Sequence, residues 1–346
     1  MTDTMTRRGL ILGGLTLAAG AALPGAAFAQ SDWPRRPITV AMTSPAGGGT
    51  DRGVRPLVTL LEKKLGAPRI TLQDMSGAGG VQATDWVTRQ PADGYAWLGT
   101  GDQIDSYGLM GRYKYTWRDF DFWMAAGTPA GIMVPAASPY QTLGDLIAAI
   151  RARPGEVTCA TTPSGTGFSS MASYLEKLHE LPFRIANFKG GGPTVRALLA
   201  GETDFAIVGL TPAASFITSG ELRVLAATVP EDWQALGVTI PSLLNFFPDD
   251  EVMKKTLPWT NANGIALRKD VPEEIKAKID TAFAEIVNGP EMQKVYEDNA
   301  YFYFGMKGHE DSNAFMKQRA EFAGYLLEDV TGFAKVSREE LGIDKM

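Results

Sequence analysis

The chain has 346 residues, with one cysteine, two histidines and a net charge of −6. That length holds two domains with sizeable cores, and the mildly acidic balance argues against nucleic acid or anionic lipid as a partner. The single Cys159, set in an apolar strand pattern, excludes an internal disulfide and reads as a buried inert thiol.

Arg7-Arg8 precede an uncharged stretch over residues 9–29, and Ala27-Phe28-Ala29 is a small-x-small cleavage site. The apolar core of this stretch is shorter than the roughly 20 residues a spanning helix needs. Residues 1–29 are therefore expected to be an export signal, with a mature chain starting at Gln30 and carrying a net charge of −7 once Arg7, Arg8 and Asp3 are gone. The paired arginines point to the twin-arginine route, with the ordinary secretory route as the alternative. No cysteine follows the cleavage site to carry a lipid, and no later stretch reaches 18 apolar residues. The expected location is periplasmic.

Residues 38–42 read as a strand, and Val54, Leu57, Val58, Leu61 and Leu65 have helical spacing. Between them lies Ser44-Pro45-Ala46-Gly47-Gly48-Gly49-Thr50-Asp51. Strand, glycine loop and helix start present bare N–H groups to an anion at the positive end of a helix. Asp51 is expected to cap that helix and not to touch an anion it would repel. A strand over 69–72 follows. Gly77-Ala78-Gly79-Gly80 then opens a helix to about Gln90, and the turn at Asp93-Gly94 leads into a strand over 95–98. Thr100 and Gln103, just beyond it, are candidate ligand donors. Apolar runs at 122–126 and 131–134 precede a helix over 143–153, which Pro154-Gly155 ends.

From there strands and helices alternate, as in sheets covered by helices. The strands are expected at 157–160, 185–188, 205–208 and 222–227, and the helices at 169–179, 194–200 and 212–219. A second glycine loop, Pro163-Ser164-Gly165-Thr166-Gly167, sits between the first of these strands and its helix. Residues 231–257 read as an irregular loop insertion, 264–267 as one more strand and the rest as helical. Pro272 suits a first helical turn, and Ile275, Ile279, Phe283 and Ile286 line one face. No long linker separates two domains, so the chain is expected to cross between them more than once. Two anion-cradling loops, one in each half, suggest two lobes closing on one small acidic ligand.

The ordered set of motifs resembles the Bug family, the extracytoplasmic receptors of tripartite tricarboxylate transporters. The set runs Pro-x-Gly-Gly-Gly-Thr-Asp at 45–51, Gly-Ala-Gly-Gly at 77–80 and Asp-Gly-Tyr at 93–95. It continues with Ser-Gly-x-Gly at 164–167, Phe-Lys-Gly-Gly-Gly-Pro at 188–193 and Gly-x-x-Asp at 201–204. The resemblance covers residues 33 to about 343. It implies an α/β, type II-like periplasmic-binding-protein fold of two domains, each a mixed sheet flanked by helices, with the ligand cleft between them. The division is expected at 30–128 with 262–346 for one domain and 129–261 for the other. By resemblance the carboxylate of a ligand is held by Ala46, Gly47, Gly48, Gly49 and Thr50 on one lobe and by Ser164, Gly165, Thr166 and Gly167 on the other. Gly79, Gly80, Thr100, Gln103 and Phe168 complete the expected site. Arg52, Arg55, Pro56, Phe168 and the apolar Val208-Gly209-Leu210 depart from the usual pattern, which leaves the identity of the carboxylate open. Arg52 and Lys189 are the cations nearest these loops.

An enzyme is the rival class, and the residues give it little. No complete dinucleotide or P-loop fingerprint occurs, there is no Gly-x-Ser-x-Gly elbow, and no Cys/His cluster has metal-ligand spacing. His179 and His309 both lie in polar helical stretches and read as surface residues. The reading is therefore a receptor without catalysis, cofactor or metal, acting as a monomer. Its partners are a small organic carboxylate and the membrane subunits of a transporter. A sensor feeding a membrane kinase is the alternative.

Overall fold

The computed structural model describes residues 32–101 and 103–346. The export signal expected over 1–29, with its cleavage at Gln30, lies outside the described residues.

The first lobe opens with β1 (Ile38–Met42), α1 (Gly49–Leu65), β2 (Ile70–Asp74), α2 (Val81–Thr88), β3 (Ala96–Gly101) and the short α3 (Ile104–Tyr107). The chain then enters β4 (Phe120–Pro135), a strand of 16 residues. The second lobe follows with α4 (Leu143–Ala152), β5 (Thr158–Thr161), α5 (Gly167–Leu178), β6 (Arg184–Asn187), α6 (Gly191–Leu199), β7 (Phe205–Gly209), α7 (Ala214–Thr218) and β8 (Leu222–Ala227). After the small ladder β9 (Trp233–Ala235) and β10 (Val238–Ile240) comes α8 (Glu251–Thr256). The chain returns through β11 (Thr260–Arg268), α9 (Glu273–Val287), α10 (Pro290–Asn299), β12 (Phe302–Tyr303) and α11 (His309–Gly324), which runs on into a π-helical turn, Tyr325–Val330.

The strand order is β2-β1-β3-β11-β4-β7-β5-β6. β1 is parallel to β2 and β3, and β5 is parallel to β6 and β7, so their carboxyl ends share an edge within each half. β11 and β4 are antiparallel insertions that make the sheet mixed. Ile38, Val40, Trp97 and Leu98 are all fully or almost fully buried, as strands sandwiched between helices require. Most buried apolar residues of 33–126 and 262–316 form one cluster. Ile132, Cys159, Phe205 and Trp259 belong to a second, which Phe322, Leu326 and Val330 join from the chain's last helical segment. Cys159 is fully buried and desolvation raises its thiol pKa, so the inert reading holds.

Four expectations change. The two apolar runs at 122–126 and 131–134 are one continuous strand: β4 pairs with β11 over its first part and with β7 and β8 over its second. Buried hydroxyls tie the crossing. Thr228 Oγ1 accepts from Ala130 N–H (2.9 Å) and donates to Trp259 O, while Thr211 N–H donates to Thr128 Oγ1. Residues 231–257 are not irregular. They hold the β9–β10 hairpin, whose turn residues Leu236 and Gly237 both have positive φ, followed by α8. Such a turn is normally signalled by Asn-Gly, and Leu-Gly hides it. β12 interrupts the expected helical end by pairing with Gly127 and Ala126. Pro272 caps α9 from outside its first turn. The helical end is fastened to β4 by Trp123 Nε1 on Asp280 (2.7 Å) and the buried Lys276–Asp121 pair (2.6 Å).

Candidate functional site

The loops after β1, β2 and β3 leave one edge of the first half, and those after β5 and β6 leave one edge of the second. In open α/β sheets ligands bind outside such carboxyl ends.

The loop after β1 is tightly held. Gly48 is the N-cap of α1 and has no side chain to cap it. Asp51 is not that cap. It sits in the first turn and reaches back, its Oδ2 accepting from Gly47 N–H (2.9 Å) and its Oδ1 pairing with Arg55 (2.6 Å). Gly48 N–H donates to Pro45 O. At the end of β2, hydrogen bonding from Ser76, whose N–H lies 3.0 Å from Asp74 Oδ1, holds the Asp74 carboxyl below its usual range. Arg52 Nε donates to Gly47 O (3.1 Å) and the Tyr301 hydroxyl to Gly49 O (2.8 Å). The first intrahelical bond is Arg52 N–H to Gly48 O. The N–H groups of Gly49, Thr50 and Asp51 have no acceptor among the described residues. Of the five expected residues, Gly47 and Gly48 therefore turn their N–H groups to the protein, while Gly49 and Thr50 keep theirs open.

The loop after β5 is held by neutral groups. Thr166 is the N-cap of α5 but does not cap it. Its hydroxyl turns to Pro163 O (2.7 Å) and Thr162 Oγ1 (2.6 Å). Ser164 Oγ donates to Asn187 Oδ1, and Asn187 Nδ2 donates to Thr162 O. The first intrahelical bond is Ser170 N–H to Thr166 O, so the N–H groups of Gly167, Phe168 and Ser169 precede it unclaimed by any described residue. α4 and α8 differ: Thr142 and Asp250 cap them with their side chains. Phe168 packs between the two apolar clusters of the second lobe, against the backbone of Gly209.

Ala78, Gly79 and Gly80 all have positive φ, which folds the third loop back on the first lobe. The Tyr107 hydroxyl donates to Gly79 O (2.8 Å), and burial raises that phenol above its usual range. A Cβ on Gly80 would meet Tyr107 and Thr43. Thr100 is fully buried and gives its hydroxyl to Gly101 O (2.8 Å), so it faces the protein. Gln103 Nε2 donates to Thr43 Oγ1 (3.1 Å). Just beyond α3, Met110 Cε lies 3.1 Å from where a Gly165 Cβ would be, which brings the second-lobe loop against the first-lobe segment that supports Gly79 and Gly80. Arg112 flanks Gly79 from the same segment. Lys189 is exposed.

Tyr107, Met110, Arg112, Asn187, Asn263 and Tyr301 hold or flank these loops and the start of α1, and sequence reasoning missed them. Only Asn263 had a signal, a polar residue beside a strand glycine. The histidines are not surface residues. His179 is bonded to Asp250 (2.8 Å), which also accepts from Tyr174 and caps α8, and His309 to Asp280 (2.8 Å). Both are bonded to carboxylates, with no hydroxyl nucleophile among the described partners. A shallow surface hollow of about 460 Å³, lined by Trp33, Lys64 and Leu65 among others, adjoins the C-terminal end of α1. At 1.5 Å per residue that is roughly 20 Å from the open N–H groups, and the hollow shares no residue with the loops.

A sequence profile described as "Tripartite tricarboxylate transporter family receptor" matches residues 54–331. The "UPF0065 protein in gbd 5'region" of Cupriavidus necator is 30% identical over 295 residues, 83% of this chain and 86% of that protein. Protein BugT of Bordetella pertussis is 32% identical over 231 residues, 64% and 68% of the two chains. Among solved structures, a TctC solute-binding protein from Polaromonas superposes with a TM-score of 0.70 at 24% identity, covering 86% of this chain and 99% of that one. A Rhodopseudomonas palustris protein solved with adipate gives 0.69 at 21% identity over 91% and 100%. A malate-bound protein named MatC, from the same organism, gives 0.63 at 18% over 87% and 99%. These likenesses establish the two-domain solute-binding fold.

Proposed function

The chain belongs to the tripartite tricarboxylate transporter receptor family, and from that premise we propose that it closes its two lobes on a small organic carboxylate and hands it to the transporter's membrane subunits. One observation carries the reading: two helix starts, one from each lobe, are left uncapped with open N–H groups, and Met110 joins their neighbourhoods. The adipate and malate seen in two similar structures are ligands of the same chemistry. The lobes divide at the β4 and β11 crossings, near residues 128 and 262, with the last helical segment reaching back to the second lobe. The receptor works in the periplasm as a monomer, after export by the twin-arginine route. No described helix is long and apolar enough to cross a membrane.

The mechanism is a population shift. The empty receptor is mostly open, and a ligand touching both lobes favours the closed state by its additional contacts there. Reversing a 1:99 equilibrium takes about 5.5 kcal/mol of differential affinity. Two or three charge-assisted hydrogen bonds, each about 1.5–3 kcal/mol, supply it.

Gly49→Asp and Gly167→Asp test this. Each site is the first residue of its helix, and a Cβ there meets nothing within 4 Å, so the fold tolerates the change. Like charges about 4 Å apart repel by about 4 kcal/mol at an effective dielectric of 20. Each variant is expected to bind carboxylates at least about a hundredfold more weakly by calorimetry, with native circular dichroism. Normal binding by either folded variant removes that loop from the site. Turnover of a bound acid, followed by mass spectrometry, would make the protein an enzyme.

A further inference from the structure

Gly101 ends β3 and stands opposite Asn263 of β11. Facing residues of an antiparallel pair point to the same side of the sheet, about 4.5–5.5 Å apart at Cβ. The Asn263 side chain lies against Gly53, so that side is the one covered by the start of α1. Gly101 has no side chain. Where its Cβ would stand, Gln103 Oε1 lies closest, followed by the Ala262 carbonyl oxygen (2.9 Å) and Asn261 Oδ1 (3.2 Å). Three amides therefore converge on Gly101, beneath the helix whose first-turn N–H groups are open.

Hydrogen bonds decide how two of these amides are turned. Thr43 gives its hydroxyl proton to Gly99 O (3.2 Å), so toward Gln103 it accepts, and Gln103 Nε2 is the donor. Asn263 Nδ2 donates to Asn261 O (3.3 Å). What remains on each amide is an oxygen. Gln103 Oε1 and Asn263 Oδ1 are buried atoms that accept from no described residue, and Asn263 is only 3% exposed. Buried acceptors call for donors. An ionised carboxylate cannot answer them, since it carries acceptors only.

We propose that Gln103 and Asn263 form a subsite that reads a hydroxyl or ammonium group on the ligand, so that the receptor takes hydroxy- or amino-carboxylates in preference to unsubstituted acids. This rests on the carboxylate reading above and narrows it. The open N–H groups at the start of α1 hold the anionic end, and the two amide oxygens beneath them accept from the neighbouring substituent.

Calorimetry on the purified exported protein with matched acids tests the subsite. The series are succinate with malate and aspartate, glutarate with 2-hydroxyglutarate and glutamate, tricarballylate with citrate, and phenylacetate with mandelate. In the series that binds, the substituted member is expected to bind at least about tenfold tighter, the factor one net hydrogen bond supplies. Gln103→Met and Asn263→Leu, checked for fold by circular dichroism, should each shrink that ratio. Unsubstituted acids binding as tightly as their partners in wild type would overturn the subsite and leave the carboxylate reading standing. A ratio that persists in both folded variants would do the same. Binding of no acid in any series would overturn both.

Discussion

The two glycine loops offer the same open N–H groups but are held in opposite ways. The first is fastened by charge: Asp51 on Gly47, Arg55 on Asp51 and Arg52 on Gly47 O. The second is fastened by hydroxyls and one amide, through Thr162, Ser164, Thr166 and Asn187. The difference shows that a glycine loop does not present every N–H it has. Bent around the helix start, the first loop must satisfy two of its own donors before a ligand arrives, and one of those bonds goes to a carboxylate that also repels an anion. The second loop carries no charge of its own, so the ligand meets no competing carboxylate there.

Asp51→Ala attacks the contrast most strongly. The Arg55 arm of the pair is half exposed and contributes little. The bond from Gly47 N–H to a buried carboxylate should account for most of a loss of about 2 kcal/mol, read as a lower urea midpoint at unchanged m. Thr166→Val removes two neutral bonds from the second loop while keeping its shape, and should cost about 1 kcal/mol in the same assay. A larger loss from Thr166→Val than from Asp51→Ala would break the comparison. Acid gives the smallest effect. Because Asp74 titrates below its unfolded value, its hold on the Ser76 N–H is complete above the ordinary carboxylate range and is lost as pH falls through the lowered pKa. Hydrogen exchange, corrected for its intrinsic rate, should then show the Ser76 amide loosening in acid while the Thr166 amide does not. Equal loosening at both amides would show that charge does not distinguish the two halves.

The strand-loop-helix units were legible because each is local: the apolar run at 38–42, its glycines and the periodic helix lie within thirty residues. What escaped depends on distant partners. β12 is two residues long and exists because β4 offers an edge at Gly127, and no periodicity can mark so short a strand. The β9–β10 turn places Leu236 at positive φ, which an apolar residue does not advertise. Asp51 was legible as a helix-start residue but not as the acceptor of Gly47, since Asp at the cap and Asp within the first turn look alike in sequence. Gln103 was found from its place after a strand. Asn263 joins it only through a register that spans more than 150 residues.

That register bears on the order in which the molecule assembles. β11 sits in the middle of the first sheet, between β3 and β4, yet it is made long after both. Until residue 268 is available the first sheet is two unjoined pieces, with β2, β1 and β3 on one side and β4 on the other. Nearly all of the second lobe's sheet and helices lies in one continuous stretch between them. Closing so long a loop delays pairing. The sheet that begins the chain is thus the later one to be closed, and the loops that leave its edge gain a complete sheet beneath them only after the other lobe's strands have been made.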